Sequence, residues 1–421
     1  MNRLELFLHY AQKVFELNGL LRRVRDGRCN PTIPILPVIL CLLLGVVLRI
    51  SSYYDLSAQT QRRRWRHLCR LKKPIGDDLF GYVTERMQPE DWRQIQARMV
   101  KRLKHNKALE SCKIKGLLFV SLDANEHFKS RSRCCDSCCQ RQIEIDEGEG
   151  KTKKVTEYYH RYVVAQINGP KINIVMDVEP IRPGEDECGA ALRLLGRLRR
   201  IYGPRFFDAI TADAWYARGS FLKAVQKMGW QWVVVLKRQD MNVYQEARQL
   251  SQGQKPCVSF EDVRRDRQVQ LWDVKDLDFS QEYGQKVRAV RSEERWIEKR
   301  IWGGIKTQKP QCSQWFWAAS DGLGAYAPEL VYDAGHRRWG IENKAFNELT
   351  QGHHLEHCYH HDPTAMLVQM LILVFGFTLF TAFALHCQWV RTGRQTLKSL
   401  AHDLDLALEE DRLWDQWFHC G

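Results

Sequence analysis

Hydrophobic residues in the N-terminal part of the chain recur at helical spacing. Leu4, Phe7 and Val14 lie three or seven positions apart, so their side chains share one face of a helix. Runs of β-branched residues and turn dipeptides are few there. The pattern predicts a helical N-terminal region.

The pattern then changes to short apolar runs of strand length. Residues 116–122 form one such run, which ends at Asp123. Further strands are predicted at residues 158–167 and 172–178, on either side of the hairpin signal Asn168-Gly169. Three antiparallel strands are therefore expected, with a carboxylate at the end of the first.

A helix and two more strands follow these three. Apolar positions within 190–201 are helical, and residues 207–212 lead as a fourth strand into Asp213. A helix at 219–228 and a strand at 230–236 continue an α/β pattern. The second acidic residue is thus also expected at a strand end.

Alternating polar and apolar residues mark the next segment as half-exposed strands, which predicts a β-rich insertion. A helix is expected around 332–349, where it carries Glu342. We divide the chain into four regions: a helical, basic, DNA-binding region at 1–112, the first part of an α/β core with a Cys-rich loop at 113–250, the insertion at 251–320, and the completion of the core with C-terminal helices at 321–421. Three strands, a helix, a strand and a late acidic helix follow the order of an RNase H-like fold, so we expect an α/β protein with an RNase H-like mixed sheet flanked by helices.

The chain has a formal charge of +14 over 421 residues, which favours a polyanionic partner. Nucleic acid is the first candidate and a membrane surface the second. The densest basic cluster lies between Arg62 and Lys73, and Arg63 and Arg66 are our candidate phosphate contacts there. A solvated helix face is the alternative for such a run.

The apolar run 366–385 is long enough to span a bilayer. It contains Gln369, Thr378 and Thr381, so we predict a buried core helix and no membrane partner. The N-terminal residues lack the pattern of a secretory signal. Fourteen cysteines in such a chain are then expected as thiols or metal ligands in a reducing cytoplasm.

Four short segments resemble the DDE transposases of bacterial insertion sequences. They are Leu122–Phe128, Thr211–Tyr216, Arg338–Asn343 and Gly352–His357. The resemblance implies a catalytic triad of Asp123, Asp213 and Glu342 that holds two Mg²⁺ or Mn²⁺ ions. Two carboxylates 4 Å apart repel each other by about 4 kcal/mol at an effective dielectric constant of about 20. They are therefore found close together where a divalent cation offsets this repulsion. Glu126, Asp177 and Glu179 are the nearest competing acids.

The same resemblance implies cleavage and strand transfer of double-stranded DNA, both transposon ends and target, by a homodimer. Phosphate contacts are expected from the following residues: Arg338, Lys237, Arg238, His354 and His357. An RNase H-like nuclease without strand transfer and a domesticated, zinc-stabilised DNA-binding protein are the alternatives. Members of the family often show the pattern Tyr, two residues, Arg, three residues, Glu, six residues, Lys around the third acid. Arg338 and Glu342 match this pattern, but its outer positions hold Gly335 and Leu349. Tyr332 and Lys344 lie close by and are candidate substitutes.

Four cysteines fall within residues 134–139, and Cys135 with Cys138 has the spacing of zinc ligands. The resemblance implies His160 as a third ligand, and Cys134 or Cys139 is expected to complete four. Thiols without a metal are the alternative interpretation, and the sequence leaves both open.

Overall fold

The computed structural model of the chain describes residues 2–146, 148, 152–302, 305–340, 346–387, 392–393 and 395–409. The N-terminal region is helical as predicted. The helices described are α1 (Arg3–Phe15), α2 (Leu17–Leu21), α3 (Ile35–Val47), α4 (Tyr53–Gln59), α5 (Arg63–Leu68), α6 (Asp77–Arg86), α7 (Pro89–His105), α8 (Glu187–Tyr202), α9 (Gly219–Lys227), α10 (Asn242–Ser251), α11 (Pro328–Arg337), α12 (Asn347–His353), α13 (Pro363–His386) and α14 (Leu397–Glu409).

Helix α13 is the core around which the N-terminal helices pack. It is apolar and long enough to cross a membrane, but 94% of its most apolar window is buried within the protein. Helices α3, α6 and α7 pack against it. Its polar side chains bond to α7 and α4: Gln96 Nε2 of α7 donates to Thr378 Oγ1 at 3.0 Å, and the Tyr53 hydroxyl of α4 donates to Gln369 at 3.0 Å. The predicted core helix is confirmed.

A mixed sheet forms the other half of the fold. Its described strands are β1 (Phe119–Ser130), β2 (Cys139–Asp146), β3 (Thr152–Asn168), β4 (Asn173–Pro180), β5 (Ala209–Ala212), β6 (Gln231–Val235), β7 (Val258–Asp262), β8 (Arg267–Asp278), β9 (Lys286–Trp302) and β10 (Ile305–Ser320). The strand order is β2-β3-β1-β5-β6-β10-β9-β8-β7, and β4 pairs with the second half of β3.

The central part of this sheet has the predicted RNase H-like arrangement. Strands β1, β3 and β4 are antiparallel neighbours. Strand β5 then pairs parallel to β1, and β6 pairs parallel to β5. The predicted β-rich insertion is also present, as β7 to β10, and it extends the same sheet because β10 pairs antiparallel with β6.

The sheet has a notch at the carboxyl ends of β5 and β6. Strand β5 ends at Ala212, whereas β1 continues to Ser130 with β3 and β2 beside it. On the other side, only Trp317–Ala319 of β10 pair with β6, and the rest of the β9–β10 hairpin extends beyond it. We call these extensions the β1–β3 arm (residues 124–130, 139–146 and 152–163) and the β9–β10 arm (residues 291–302 and 305–316).

Helix α11 packs closely on the sheet at Gly335. A Cβ at this position would lie 2.2 Å from Trp317 Nε1, so a tyrosine would have no room there. Tyr332, one turn earlier, is buried and bonds to the insertion: its hydroxyl accepts from Arg265 Nη1 at 2.8 Å and donates to Asp262 at 3.1 Å. Tyr332 therefore has a structural role, in which it packs against the sheet and bonds to the insertion.

Gly335→Ala is expected to lower the free energy of unfolding by about 2 kcal/mol, because the added methyl overpacks against the Trp317 indole. Gly196→Ala is the matched control. It lies in α8 with open space at its Cβ, so alanine there should stabilise by about 0.5–1 kcal/mol. Denaturant unfolding of both variants measures this, and equal effects of the two substitutions would contradict the close packing at Gly335.

Candidate active site and metal centre

Asp123 and Asp213 lie at the same level of two neighbouring parallel strands. Ser121 of β1 is opposite Thr211 of β5. Asp123 is two residues further along β1, and Asp213 is two residues beyond Thr211, directly after β5 has ended. Because neighbouring strands are about 4.8 Å apart, this register places the two half-buried aspartates side by side at the floor of the notch.

The strand end was predicted correctly for Asp213 but wrongly for Asp123. Asp213 follows β5 directly, and its carboxylate caps the next turn by accepting from the Trp215 amide at 2.8 Å. Asp123 lies within β1, paired with Val164. The strand continues because β3 still supplies hydrogen bonds after β5 has ended.

A buried polar network supports the floor beneath the two aspartates. The hydroxyls of Ser121 and Thr211 are 2.8 Å apart, and Asn168 Nδ2 donates to Ser121 Oγ at 2.8 Å. Gly340 packs on this network, since a Cβ there would lie 3.2 Å from Asn168 Cγ. The chain segment leading to the third predicted acid thus passes directly over the floor.

Arg338 contacts the first aspartate. Its Nη1 donates to Asp123 Oδ2 at 3.3 Å, and the two side chains are 6% and 14% exposed. Burial strengthens such a charge pair relative to one in water. Glu342, four positions on, and Lys344 lie outside the described residues.

The competing acids have other partners. Asp177 accepts from Arg197 Nε at 2.6 Å and Arg93 Nε at 3.2 Å, and Glu179 pairs with the same two arginines. Glu126 accepts from Arg141 at 2.7 Å on the β1–β3 arm. These ion pairs hold neighbouring helices and strands together, so a structural role accounts for all three carboxylates.

Negative charge accumulates behind Asp213. Burial raises the pKa of Glu187, and the nearby Asp213 charge raises it further, against the effects of Tyr216 and Arg161. The pKa of the buried Tyr216 hydroxyl is also raised, first by burial and then by Glu187, Asp123 and Asp213. Glu187, Tyr216 and Asp213 are thus close enough to affect one another electrostatically.

Lys237 and Arg238 follow β6 at the edge of the notch, and both are exposed. Arg238 forms an exposed ion pair with Asp240 at 2.6 Å, which water screens strongly. The two side chains are thus open to solvent beside the notch.

The two predicted histidine contacts differ in their surroundings. His354 ends α12 and bonds through Nε2 to the Arg49 carbonyl at 3.1 Å, which ties it to the helical region. His357 is exposed and its ring packs edge-on against Tyr359 at 4.8 Å.

The basic cluster between Arg62 and Lys73 has a buried side and an exposed side. Trp65 is fully buried, and Arg66 Nη1 donates to the carbonyls of Thr60 and Gln61 at 2.9 and 2.5 Å just beyond helix α4. Arg63, Lys72 and Lys73 are exposed.

Two cysteines and two histidines meet at the base of the β1–β3 arm. Cys135 Sγ is 3.7 Å from Cys138 Sγ, and His160 Nε2 is 3.5 and 3.3 Å from these two sulfurs. His361 Nε2 is 3.5 Å from Cys138 Sγ, and all four ligand atoms lie within 4.8 Å of one another. A zinc tetrahedron with bonds of about 2.3 Å to sulfur and 2.0 Å to nitrogen has edges of about 3.3–3.8 Å, so this donor set fits zinc.

Neither cysteine suggested as a fourth ligand belongs to this cluster. Cys134 is exposed and the Cys139 thiol is directed at the Ile181 carbonyl, 3.8 Å away. His361 takes the position instead, from the segment just before α13. Burial lowers the pKa of His160 to about 4 and also lowers that of His361, so both rings offer neutral nitrogen lone pairs near neutral pH. In the sequence, the closely spaced histidines at 353–361 are the feature that could have indicated this ligand.

Residues 148–379 match the family model described as a transposase DDE domain. The matched range is more than half of the chain and includes Asp213 and Glu342, whereas Asp123 precedes it. No curated protein matches the chain. Among solved structures, the piggyBac transposase in a synaptic complex with hairpin DNA aligns over 97% of this chain and 80% of its own, at 13% identity and a TM-score of 0.43.

Proposed function

Because this chain belongs to the transposase DDE domain family, we propose that its DNA cleavage and strand transfer take place in the notch, at Asp123, Asp213 and Glu342. The observation that carries this is the register of β1 and β5, which places Asp123 within β1 beside Asp213 just after the end of β5. Transposition is thus the activity of the protein, and the residue assignment is our proposal.

The three acids would hold two Mg²⁺ or Mn²⁺ ions. Among the described residues, the floor offers oxygen atoms from two carboxylates, two hydroxyls and one amide side chain. Hard cations prefer such donors. Bound in pairs, these ions stabilise both the attacking and the leaving oxygen of a phosphoryl transfer.

Arg338 would serve two purposes beside these acids. It offsets the negative charge of Asp123, which lowers the repulsion between the aspartates when they are brought together. It would also contact a DNA phosphate, because the planar guanidinium matches the geometry of phosphate oxygens.

Metal binding tests the assignment without DNA. Wild-type protein titrated with Mn²⁺ in a calorimeter should bind it at the notch, and Asp213→Asn should lose that binding because an anionic ligand becomes a neutral amide of equal size. Unchanged Mn²⁺ binding by Asp213→Asn would exclude Asp213 as a ligand.

Double-stranded DNA, both transposon ends and target, would lie in the notch between the two arms. Lys237 and Arg238 stand at one side, and the exposed Lys129, Arg131 and Arg133 of the β1–β3 arm and its following loop stand at the other. His354 and His357 remain weaker candidates for phosphate contacts. We further propose a homodimer on DNA, acting in the cytoplasm for an insertion sequence, with the four-region division given above.

We also propose a structural Zn²⁺ held by Cys135, Cys138, His160 and His361. Its ligands come from the loop before β2, from β3 and from the segment before α13. The ion would therefore fasten the β1–β3 arm to the C-terminal part of the core.

DNA affinity should fall steeply with salt, because bound phosphates release counterions. Replacing Arg63, Lys72 and Lys73 together by alanine should reduce the slope of log K against log salt by about 0.9 for each phosphate that the variant no longer neutralises. Arg66→Ala should instead lower stability, since it leaves the Thr60 and Gln61 carbonyls without their donor.

Fluorescence anisotropy over a salt series, with thermal unfolding in parallel, separates the two effects. An unchanged slope in the triple variant means that this cluster is a solvated face. The proposal for the notch would be unaffected by that outcome.

A further inference from the structure

Trp215 is a large aromatic residue at the surface that has no part in the assignment above. It is 53% exposed, although it comes only three residues after the buried strand β5. A single exposed aromatic residue needs no explanation by itself. The place of Trp215 in the molecule and the way its ring is held are what distinguish it.

Trp215 belongs to the turn that begins at Asp213 on the floor of the notch. Its backbone amide donates to the Asp213 carboxylate at 2.8 Å. The Cα atoms of the two residues are at most about 7.6 Å apart, because consecutive Cα atoms are separated by 3.8 Å. Successive bases of a DNA strand are about 3.4 Å apart, so a base adjoining a phosphate at Asp213 would lie within reach of the indole.

The indole is held from two sides. Trp215 Nε1 donates to Asp186 Oδ1 at 3.3 Å, and the Arg218 guanidinium lies over the ring, 4.8 Å from its centroid. Arg218 also donates to Asp186 at 2.7 Å, which offsets the charge of that carboxylate. A ring that is already held in place loses little conformational freedom when a ligand stacks on it.

The chemistry of this surface suits a nucleotide base. Every base has a π-face, so aromatic side chains bind bases by stacking regardless of sequence. Arg218 is 41% exposed and places a positive charge beside the ring, which favours a polyanion. DNA cleavage supplies such a base, because the base at a new DNA end has lost the neighbour on which it was stacked.

We propose that Trp215 is the stacking site for the terminal base of the cleaved DNA end. Its ring takes the place of the lost neighbouring base, and Arg218 and Asp186 keep the ring in position. The bound end is thereby held beside the catalytic acids for strand transfer. The inference rests on the proposed placement of DNA cleavage at Asp123 and Asp213.

The test compares two duplexes from the DNA flanking the gene. The precut duplex ends at the position where wild-type protein cleaves, and the continuous duplex runs through it. Affinities are measured by fluorescence anisotropy in Ca²⁺, so that no cleavage occurs. Trp215→Leu should weaken binding of the precut duplex by about ten- to hundredfold and leave the continuous duplex within about threefold. Trp215→Phe should retain most of the affinity for the precut duplex, because a phenyl ring still stacks.

A precut duplex without its terminal base shows whether the ring and that base act on each other. Wild-type protein should bind this abasic duplex about as weakly as Trp215→Leu binds the intact precut duplex. Trp215→Leu should not distinguish the two duplexes, because its partner for the base is already absent. The amide that caps Asp213 is a backbone group, so these side-chain substitutions leave it in place.

Tyr82→Leu is the matched control. Tyr82 is 43% exposed and carries the Arg86 guanidinium 3.8 Å from its ring centroid, but it lies on α6 among the N-terminal helices. It should alter the affinity for neither duplex.

Three results overturn the inference: equal weakening of both duplexes by Trp215→Leu, no weakening of either, or the same loss in Trp215→Phe. If Trp215→Leu fails to fold, the abasic duplex decides with wild-type protein, and equal affinity for the intact and abasic ends overturns the inference. Asp213→Asn separates the two levels. If it abolishes cleavage while Trp215→Leu binds the precut duplex as wild type does, only this inference fails; if Asp213→Asn cleaves normally, the catalytic assignment fails.

Discussion

Asp213→Asn and Asp123→Asn are each expected to reduce DNA cleavage by on the order of a thousandfold or more, because loss of a metal ligand removes several kcal/mol of transition-state stabilisation. Glu342→Gln should do the same. Each substitution keeps the volume of the side chain and removes its charge, so fold and DNA affinity should change little. Cleavage of an end-labelled duplex in Mg²⁺ or Mn²⁺ measures the effect, and Ca²⁺ should fail to support it.

Glu126→Gln is the matched control for these variants. Glu126 lies on the same strand as Asp123, but its side chain points to the opposite face of the sheet. It forms ion pairs with Arg141 and Lys129. Its loss should alter cleavage by less than about tenfold. If Glu342→Gln cleaves within about tenfold of wild type, the triad is wrong, and Glu348 or Glu356 becomes the next acid to test.

The second large effect is expected at the zinc ligands. Purified wild-type protein should contain one equivalent of zinc, and Cys138→Ser and His361→Ala should each reduce it below about a tenth, because a tetrahedral site with three ligands binds far more weakly. Unfolding temperature should fall as well. Cleavage should fall too, since the arm that continues from Asp123 would no longer be fastened to the segment before α13.

Cys134→Ser and Cys139→Ser are the controls, each lying one residue outside the Cys135 to Cys138 pair. Elemental analysis should find full zinc in both, because neither thiol belongs to the four-membered cluster. The ligand set would be contradicted if Cys134→Ser or Cys139→Ser lost zinc while His361→Ala retained it. That result would make Cys134 or Cys139 the fourth ligand.

The interior strands could be predicted because burial leaves a plain record in the sequence. Strands β5 and β6 are buried and mostly apolar, and Asp213 follows the first of them directly. Strand β2 escaped prediction because it lies in an arm and alternates between exposed and half-buried residues, which leaves no apolar run. The continuation of β1 beyond Asp123 was missed for the same reason.

Contacts between residues that are far apart in the sequence could not be predicted from the spacing of residues. His361 is more than two hundred positions from Cys138, and only the start of α13 brings it to the arm.

A strand-transfer assay tests the central claim most directly. Purified protein would be incubated with Mg²⁺, a target plasmid and a labelled duplex from the DNA flanking its gene. We expect labelled duplex joined to plasmid with wild-type protein and no joined product with Asp213→Asn. Joining by Asp213→Asn at the wild-type level, or cleavage by wild type that never yields joined product, would contradict a transposase that cuts and joins DNA at these acids.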